Sequence, residues 1–151
     1  MAAPIQPFPL PRKLPQTLAG VHRYWKNLIR AENAMPFADD VNPSQVPALP
    51  GGLILVGAFA KPQRFRFNYL SESLLRQLSP NITGRFADEL ELQSPFDFFI
   101  AQCSTTVEGR VPTWYSSRRA GSREHSAAAY SRILLPTWGD GRIELLLGAI
   151  A

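Results

Sequence analysis

Arg64-Phe65-Arg66-Phe67-Asn68-Tyr69 alternates polar and aromatic side chains without a break. Successive side chains of a strand point to opposite faces, so this period puts Phe65, Phe67 and Tyr69 on one buried face. Arg64, Arg66 and Asn68 then face water or a partner, as in a half-buried antiparallel strand. Just upstream, Leu53-Ile54-Leu55-Val56 is a continuous apolar run, and Lys61-Pro62 supplies the turn between the two segments. The pair reads as a β-hairpin.

Downstream of the hairpin, Ser71 is placed to cap a short helix carrying Leu74, Leu75 and Leu78, which stops at Pro80. A second short turn or helix holds Phe86 and Leu90. Ser94-Pro95-Phe96-Asp97 has the marks of a helix start: a serine cap, proline at the first position and an acid in the first turn. That helix is expected to end at Gly109, with Phe96, Phe99, Ile100, Cys103 and Val107 along one stripe. The last third reads as strands over residues 111–117, 127–137 and 143–150, with Gly139-Asp140-Gly141 as the final hairpin turn.

Upstream, Leu18, Val21, Trp25, Leu28 and Ile29 recur at spacings of three and four, which predicts a helix over residues 17–33, closed by Pro36. Periodicity shows that this stripe is buried, and it suits either a core or a dimer surface. Val21, Trp25 and Leu28, with Arg64 and Arg66 of the hairpin, are the candidate partner surface. Residues 37–50 carry three prolines and read as an irregular connection. The alternating prolines of residues 4–11 exclude a helix or a central strand, so residues 1–16 read as a flexible tail or docking strap. Residues 17–151 form one domain. Two runs of strands separated by helices make an α+β pattern, because βαβ architecture would alternate strand and helix regularly. The expected fold is a five-stranded antiparallel sheet with helices packed on one face and a leading N-terminal helix.

A chain of 151 residues, 45% hydrophobic and 11% aromatic, is too apolar for disorder and long enough to build one core without staples. Its single cysteine, Cys103, cannot form an internal disulfide, and no Cys/His spacing suits zinc. A reducing cytoplasm is the expected home. The apolar run over residues 51–60 is short of the roughly 20 residues needed to cross a bilayer, and the N-terminus lacks the pattern of a secretory signal. The formal net charge of +4 permits acidic partners. The basic residues are nevertheless spread from Arg12 to Arg142, which does not suit a nucleic-acid face. The densest basic stretch, Arg118-Arg119-Ala120-Gly121-Ser122-Arg123, reads as a solvated loop.

Several short stretches resemble the stand-alone bacterial PAS proteins grouped as type-5 PAS. They are Tyr24-Trp25, Met35-Pro36, Asp40, Asn42-Pro43, Arg64-Phe65-Arg66-Phe67, Ile82-Thr83-Gly84-Arg85, Asp88-Glu89-Leu90, Leu134-Leu135-Pro136 and Gly139-Asp140-Gly141. The resemblance covers residues 18–151 and departs from the family pattern at Ser79-Pro80-Asn81 and at the polar loop over residues 118–126. It implies a sensory or regulatory module without an effector domain of its own. Such modules cup a small molecule between sheet and helices, and form homodimers or contact signalling partners through the leading helix and outer sheet face. A flavin photocycle is not expected, because light-sensing flavin domains of this fold carry their reactive cysteine on the short helix before the long one, whereas Cys103 falls in the long helix. Haem is not expected either, since the histidines are His22 in the leading helix and His125 in the polar loop. The resemblance carries over the type of module and not the identity of a cofactor or ligand.

The residues whose periodicity aims them between sheet and helices are Phe67, Tyr69, Phe99, Cys103, Trp114 and Tyr130. They are the candidate ligand pocket, and they are equally a filled core. A proton-transfer enzyme would need a buried acid near a tyrosine, for which Tyr69 with Asp97 is the nearest pair. Asp97 is better explained as a first-turn helix residue, so an enzyme is not the expected reading. The remaining class is a ligand-free dimerisation or scaffold module.

Overall fold

The computed structural model describes residues 8–47, 49, 51–78, 80–117 and 129–151. Residues 1–7 of the expected tail, Ser79, the polar loop over residues 118–126 with His125, and the first two residues of the strand expected over 127–137 lie outside the described residues. The elements are α1 (Gln16–Leu28), β1 (Leu53–Phe59), β2 (Arg64–Leu70), α2 (Glu72–Gln77), α3 (Phe99–Gly109), β3 (Thr113–Ser116), β4 (Ser131–Gly139) and β5 (Arg142–Ile150). The five strands form one antiparallel sheet in the order β2-β1-β5-β4-β3. The apolar run of β1 suits its place inside the sheet, where it is hydrogen-bonded on both sides. Asp140 and Gly141 form a two-residue turn between β4 and β5, both at positive φ (53° and 75°), the conformation that matches strand twist in a tight hairpin.

The two faces of the sheet can be told apart at β3. Thr113 is fully buried and its hydroxyl meets Thr106 (2.6 Å) and Gln102 (3.1 Å) of α3. Trp114, the next residue, points the other way and shares a groove with Ala19, His22 and Lys26 of α1. So α3 covers one face and α1 the opposite one, and the leading helix, whose side the sequence left open, makes a third layer. Its stripe of Leu18, Val21 and Trp25 is at most 5% exposed, and α1 packs on β4 and β5 of its own chain. Beyond the end of β3, the open edge of β4 is closed by this layer. The Trp25 indole N–H donates to the Pro136 carbonyl (2.8 Å), and the Trp138 amide donates to the Pro36 carbonyl (2.9 Å).

Two helix boundaries differ from the sequence reading. α1 stops at Leu28 instead of near residue 33; Ala31 is left-handed (φ 50°), and the Arg30 guanidinium turns back to Asp40 at 2.7 Å and 2.8 Å. α3 begins at Phe99, not at Ser94. The Ser94–Pro95 peptide is cis and Phe98 is left-handed. The Pro95 and Asp97 carbonyls accept hydrogen bonds from Arg132 rather than opening a helical ladder. The buried face of α3 is Phe99, Gln102, Cys103 and Thr106, while Ile100 of the expected stripe is 40% exposed. Ser71 precedes α2, but its hydroxyl accepts from the Leu53 amide (2.9 Å) and meets Ser73, tying the helix start to β1 instead of capping it.

The strict alternation of β2 also breaks. Leu55 pairs with Tyr69 and Val56 with Phe67, so Asn68 is an extra residue, a β-bulge. An added residue reverses the facing of everything beyond it. Phe65 and Phe67 are buried as expected, but Tyr69 turns outward at 37% exposure and Leu70 takes the inner position.

Candidate functional site

On the inner face, Phe67, Phe96 and Phe99 pack ring against ring, with centroids 5.2–5.3 Å apart, within the range of favourable aromatic pairs. All three are at most 2% exposed. Two of the six candidate pocket residues, Phe67 and Phe99, therefore fill the space between sheet and α3 with each other. Cys103 joins them with no exposed surface, and burial pushes its thiol pKa well above the ordinary value. A thiol held protonated and out of water is a poor nucleophile. We expect a soluble disulfide reagent to label Cys103 only in denaturant; prompt labelling of the native protein would show that α3 opens readily.

Next to this ring cluster stands a group the sequence reading passed over. Arg132 of β4 is fully buried, its guanidinium lying 5.3 Å from the Phe99 ring centroid and 5.0 Å from that of Tyr115. Its Nε donates to Gln102 Oε1 (2.8 Å), Nη1 to the Pro95 carbonyl (2.7 Å) and Nη2 to the Asp97 carbonyl (2.8 Å). Burial lowers its pKa, and these acceptors compensate the desolvated charge. The signal was available: Arg132 is the one charged residue in Ser131-Arg132-Ile133-Leu134-Leu135-Pro136, on the same strand face as Leu134. Beside it, the Tyr130 hydroxyl donates to Asp97 Oδ2 (2.7 Å) and accepts from the Asp97 amide (3.1 Å). Burial and the Asp97 bond raise the Tyr130 phenol pKa, so it remains a protonated donor. Asp97 is thus a partner of Tyr130 and not a first-turn helix residue. Tyr69 is turned to the other side of the sheet, so the Tyr69–Asp97 pair that proton transfer would need is not assembled. Trp114 and Tyr130 line a groove with Pro15 and Ser116, and of the two it is Tyr130 that reaches the Arg132 network, through Asp97. The six candidate pocket residues do not converge.

The outer face of the hairpin has a different character. Arg64 lies 3.8 Å from the Phe86 ring centroid, Arg66 lies 4.9 Å from that of Phe59 and 5.9 Å from that of Phe86, and Arg142 lies 5.9 Å from that of Phe59. Phe59 and Phe86 are themselves 5.4 Å apart. The result is a ladder of guanidinium and aromatic groups across β2, β1 and β5, with each cation able to use the negative face of a ring. Phe86 is brought there because residues 84–86 lie along the edge of β2: the Phe67 amide donates to the Arg85 carbonyl (2.9 Å) and the Gly84 amide to the Phe67 carbonyl (2.6 Å). The same segment carries Asp88 and Glu89, whose carboxylates hold Arg64 at 3.1 Å and 3.3 Å and raise its pKa, chiefly through the Asp88 hydrogen bond. Arg66 donates to Asn68 at the bulge (2.7 Å), and Arg142 donates to the Ala58 and Ile143 carbonyls. Among the described strand residues, only Asn68 and Tyr69 are exposed. Of the candidate partner surface, Arg64 and Arg66 lie on this outer face, half-buried against the rings. Val21 and Trp25 are buried against the chain's own sheet, and Leu28 is half-buried at the end of α1. Phe59, Phe86 and Arg142 carried no local signal, since only strand pairing and the β2 edge bring them to the arginines.

Among the described residues, no three His, Cys, Asp or Glu side chains gather in a way that could hold a metal ion, and no helix is long and apolar enough to cross a membrane. His22 stacks on Trp25 on the α1 side of the sheet, away from α3. Compared with known protein families, curated proteins and solved structures, the chain matches none.

Proposed function

We propose that this chain is a PAS-type regulatory module that acts by protein contact through the outer face of the β1–β2 hairpin. The observation that carries the reading is the arginine–phenylalanine ladder around the bulge, where the otherwise covered sheet exposes Tyr69. Tyr and Arg on a rigid framework are the residues that dominate protein interfaces energetically. The family reading is supported by where its motif residues fall, since each set joins two elements. Tyr24 Oη meets the amide and carbonyl of Asn42 (3.0 Å and 3.3 Å), Asp40 holds Arg30, and Trp25 holds the Pro136 carbonyl. Arg64 meets Asp88 and Glu89, and Phe67 meets Gly84 and Arg85. Contact is preferred over ligand sensing because Phe67, Phe96 and Phe99 occupy with their own rings the space a ligand would take.

Arg66→Ala and Tyr69→Ala are expected to change folding stability by about 1 kcal/mol or less, as surface substitutions do, while losing the module's protein partner. Quantitative crosslinking in cells of the source organism, comparing the unmodified chain with each variant, tests this. An unchanged set of crosslinked proteins would remove the hairpin face from consideration. Native mass spectrometry of gently purified protein supplies the second arm, because a retained small molecule would return the reading to ligand sensing.

A further inference from the structure

A second surface differs in position and chemistry from the hairpin face. The residues preceding α1 run beside β3, where the Trp114 amide donates to the Phe8 carbonyl (3.0 Å), and they enter α1 through the Ala19 amide bonded to the Pro15 carbonyl (2.8 Å). Between this proline-rich strap and α1 lies an open groove of about 1000 Å³. Its apolar lining includes Leu10, Leu14 and Trp114 beside Pro11, Pro15 and Ala19. Its ionisable side chains are Arg12, Lys13, His22 and Lys26, and no carboxylate lines it. Among the described residues, the salt bridges engage Arg30, Arg64 and Arg76, and none engages Arg12, Lys13 or Lys26. Burial, and secondarily the nearby Lys26 charge, lowers the His22 pKa.

We propose that this groove binds an extended acidic peptide segment of a partner protein. Carboxylates would meet Arg12, Lys13 and Lys26, and an apolar side chain would sit on Leu10, Leu14 and Trp114. Its volume is at the upper end of the roughly 300–1,000 Å³ of small-molecule sites, and its open form suits an extended chain. Charge also decides the source of the occupant. Residues 1–7 hold no charged side chain, and residues 118–128 hold three arginines and the single acid Glu124, so the chain's own remaining segments do not complement the groove. A second copy, also at net +4, is disfavoured on the same ground.

The test uses the full chain and a short fluorescein-labelled peptide of alternating Glu and Leu, followed by fluorescence anisotropy. A Gln–Leu peptide of equal length is the uncharged control, and phosphatidylserine vesicles probe the membrane alternative. Lys13 and Lys26 are exposed, so Lys13→Glu/Lys26→Glu should remain folded by circular dichroism while binding the acidic peptide about tenfold more weakly. Lys13→Gln/Lys26→Gln should lose a smaller part of the affinity, and added salt should weaken binding to the unmodified protein. Equal binding of the Gln–Leu peptide, unchanged affinity in both double variants, or binding of vesicles without binding of the acidic peptide would each overturn the proposal.

Discussion

Arg132→Ala is expected to lower the free energy of unfolding by about 3–5 kcal/mol, a large part of the roughly 5–15 kcal/mol that holds a domain of this size together. The substitution removes one side chain and leaves three acceptors without it: Gln102 Oε1 and the carbonyls of Pro95 and Asp97. A buried polar group that loses its partner costs about 1–3 kcal/mol, and the gap between the Phe99 and Tyr115 rings adds a cavity term. Arg132→Lys tests the geometry separately from the charge. A single ammonium at the end of a flexible stem cannot reproduce a planar fork reaching three acceptors, so it should recover only part of the loss. The measurement is the urea midpoint of each variant. A midpoint for Arg132→Ala equal to that of the unmodified protein would mean that the network adds nothing to stability.

Trp25→Ala is expected to cost about 3–5 kcal/mol, the usual range for truncating a buried aromatic side chain to alanine. It removes the side chain that packs α1 on the sheet and the N–H that closes the Pro136 carbonyl at the edge of β4. Trp25→Phe keeps most of the apolar surface and should cost about 1 kcal/mol or somewhat more, largely the lost hydrogen bond. Because α1 packs within its own chain, the loss should not depend on protein concentration. Unfolding followed by circular dichroism at widely separated concentrations decides this. A loss that disappears at high concentration would mean that Trp25 stabilises an association between chains and not a single fold.

Legibility differed from element to element for physical reasons. The hairpin, the final turn and the stripe of Leu18, Val21 and Trp25 were readable because each is written in a local period or a short run of turn residues. The start of α3 is not legible locally, because Ser94-Pro95 and Asp97 carry every local mark of a helix cap, yet the Pro95 and Asp97 carbonyls are claimed by Arg132, more than thirty residues away. Tyr69 was misplaced because one extra residue at Asn68 reverses a strand's facing, and nothing in an alternating pattern announces a bulge. At the candidate surface, Arg64 and Arg66 were named from their outward phase, while Phe59, Phe86 and Arg142 were not.

The sequence by itself determined an α+β chain of five antiparallel strands, which faces of the hairpin and of the leading helix are apolar, and that Cys103 packs inside. Only the tertiary structure decided that the leading helix covers its own sheet, that Phe67, Phe96 and Phe99 fill the interior together, that Arg132 holds the approach to α3, and that the arginines and phenylalanines of the outer face form one ladder. The reason is the range of the interactions. Periodicity records which side of an element avoids water, but the identity of the group that covers it depends on pairings between residues far apart in the chain.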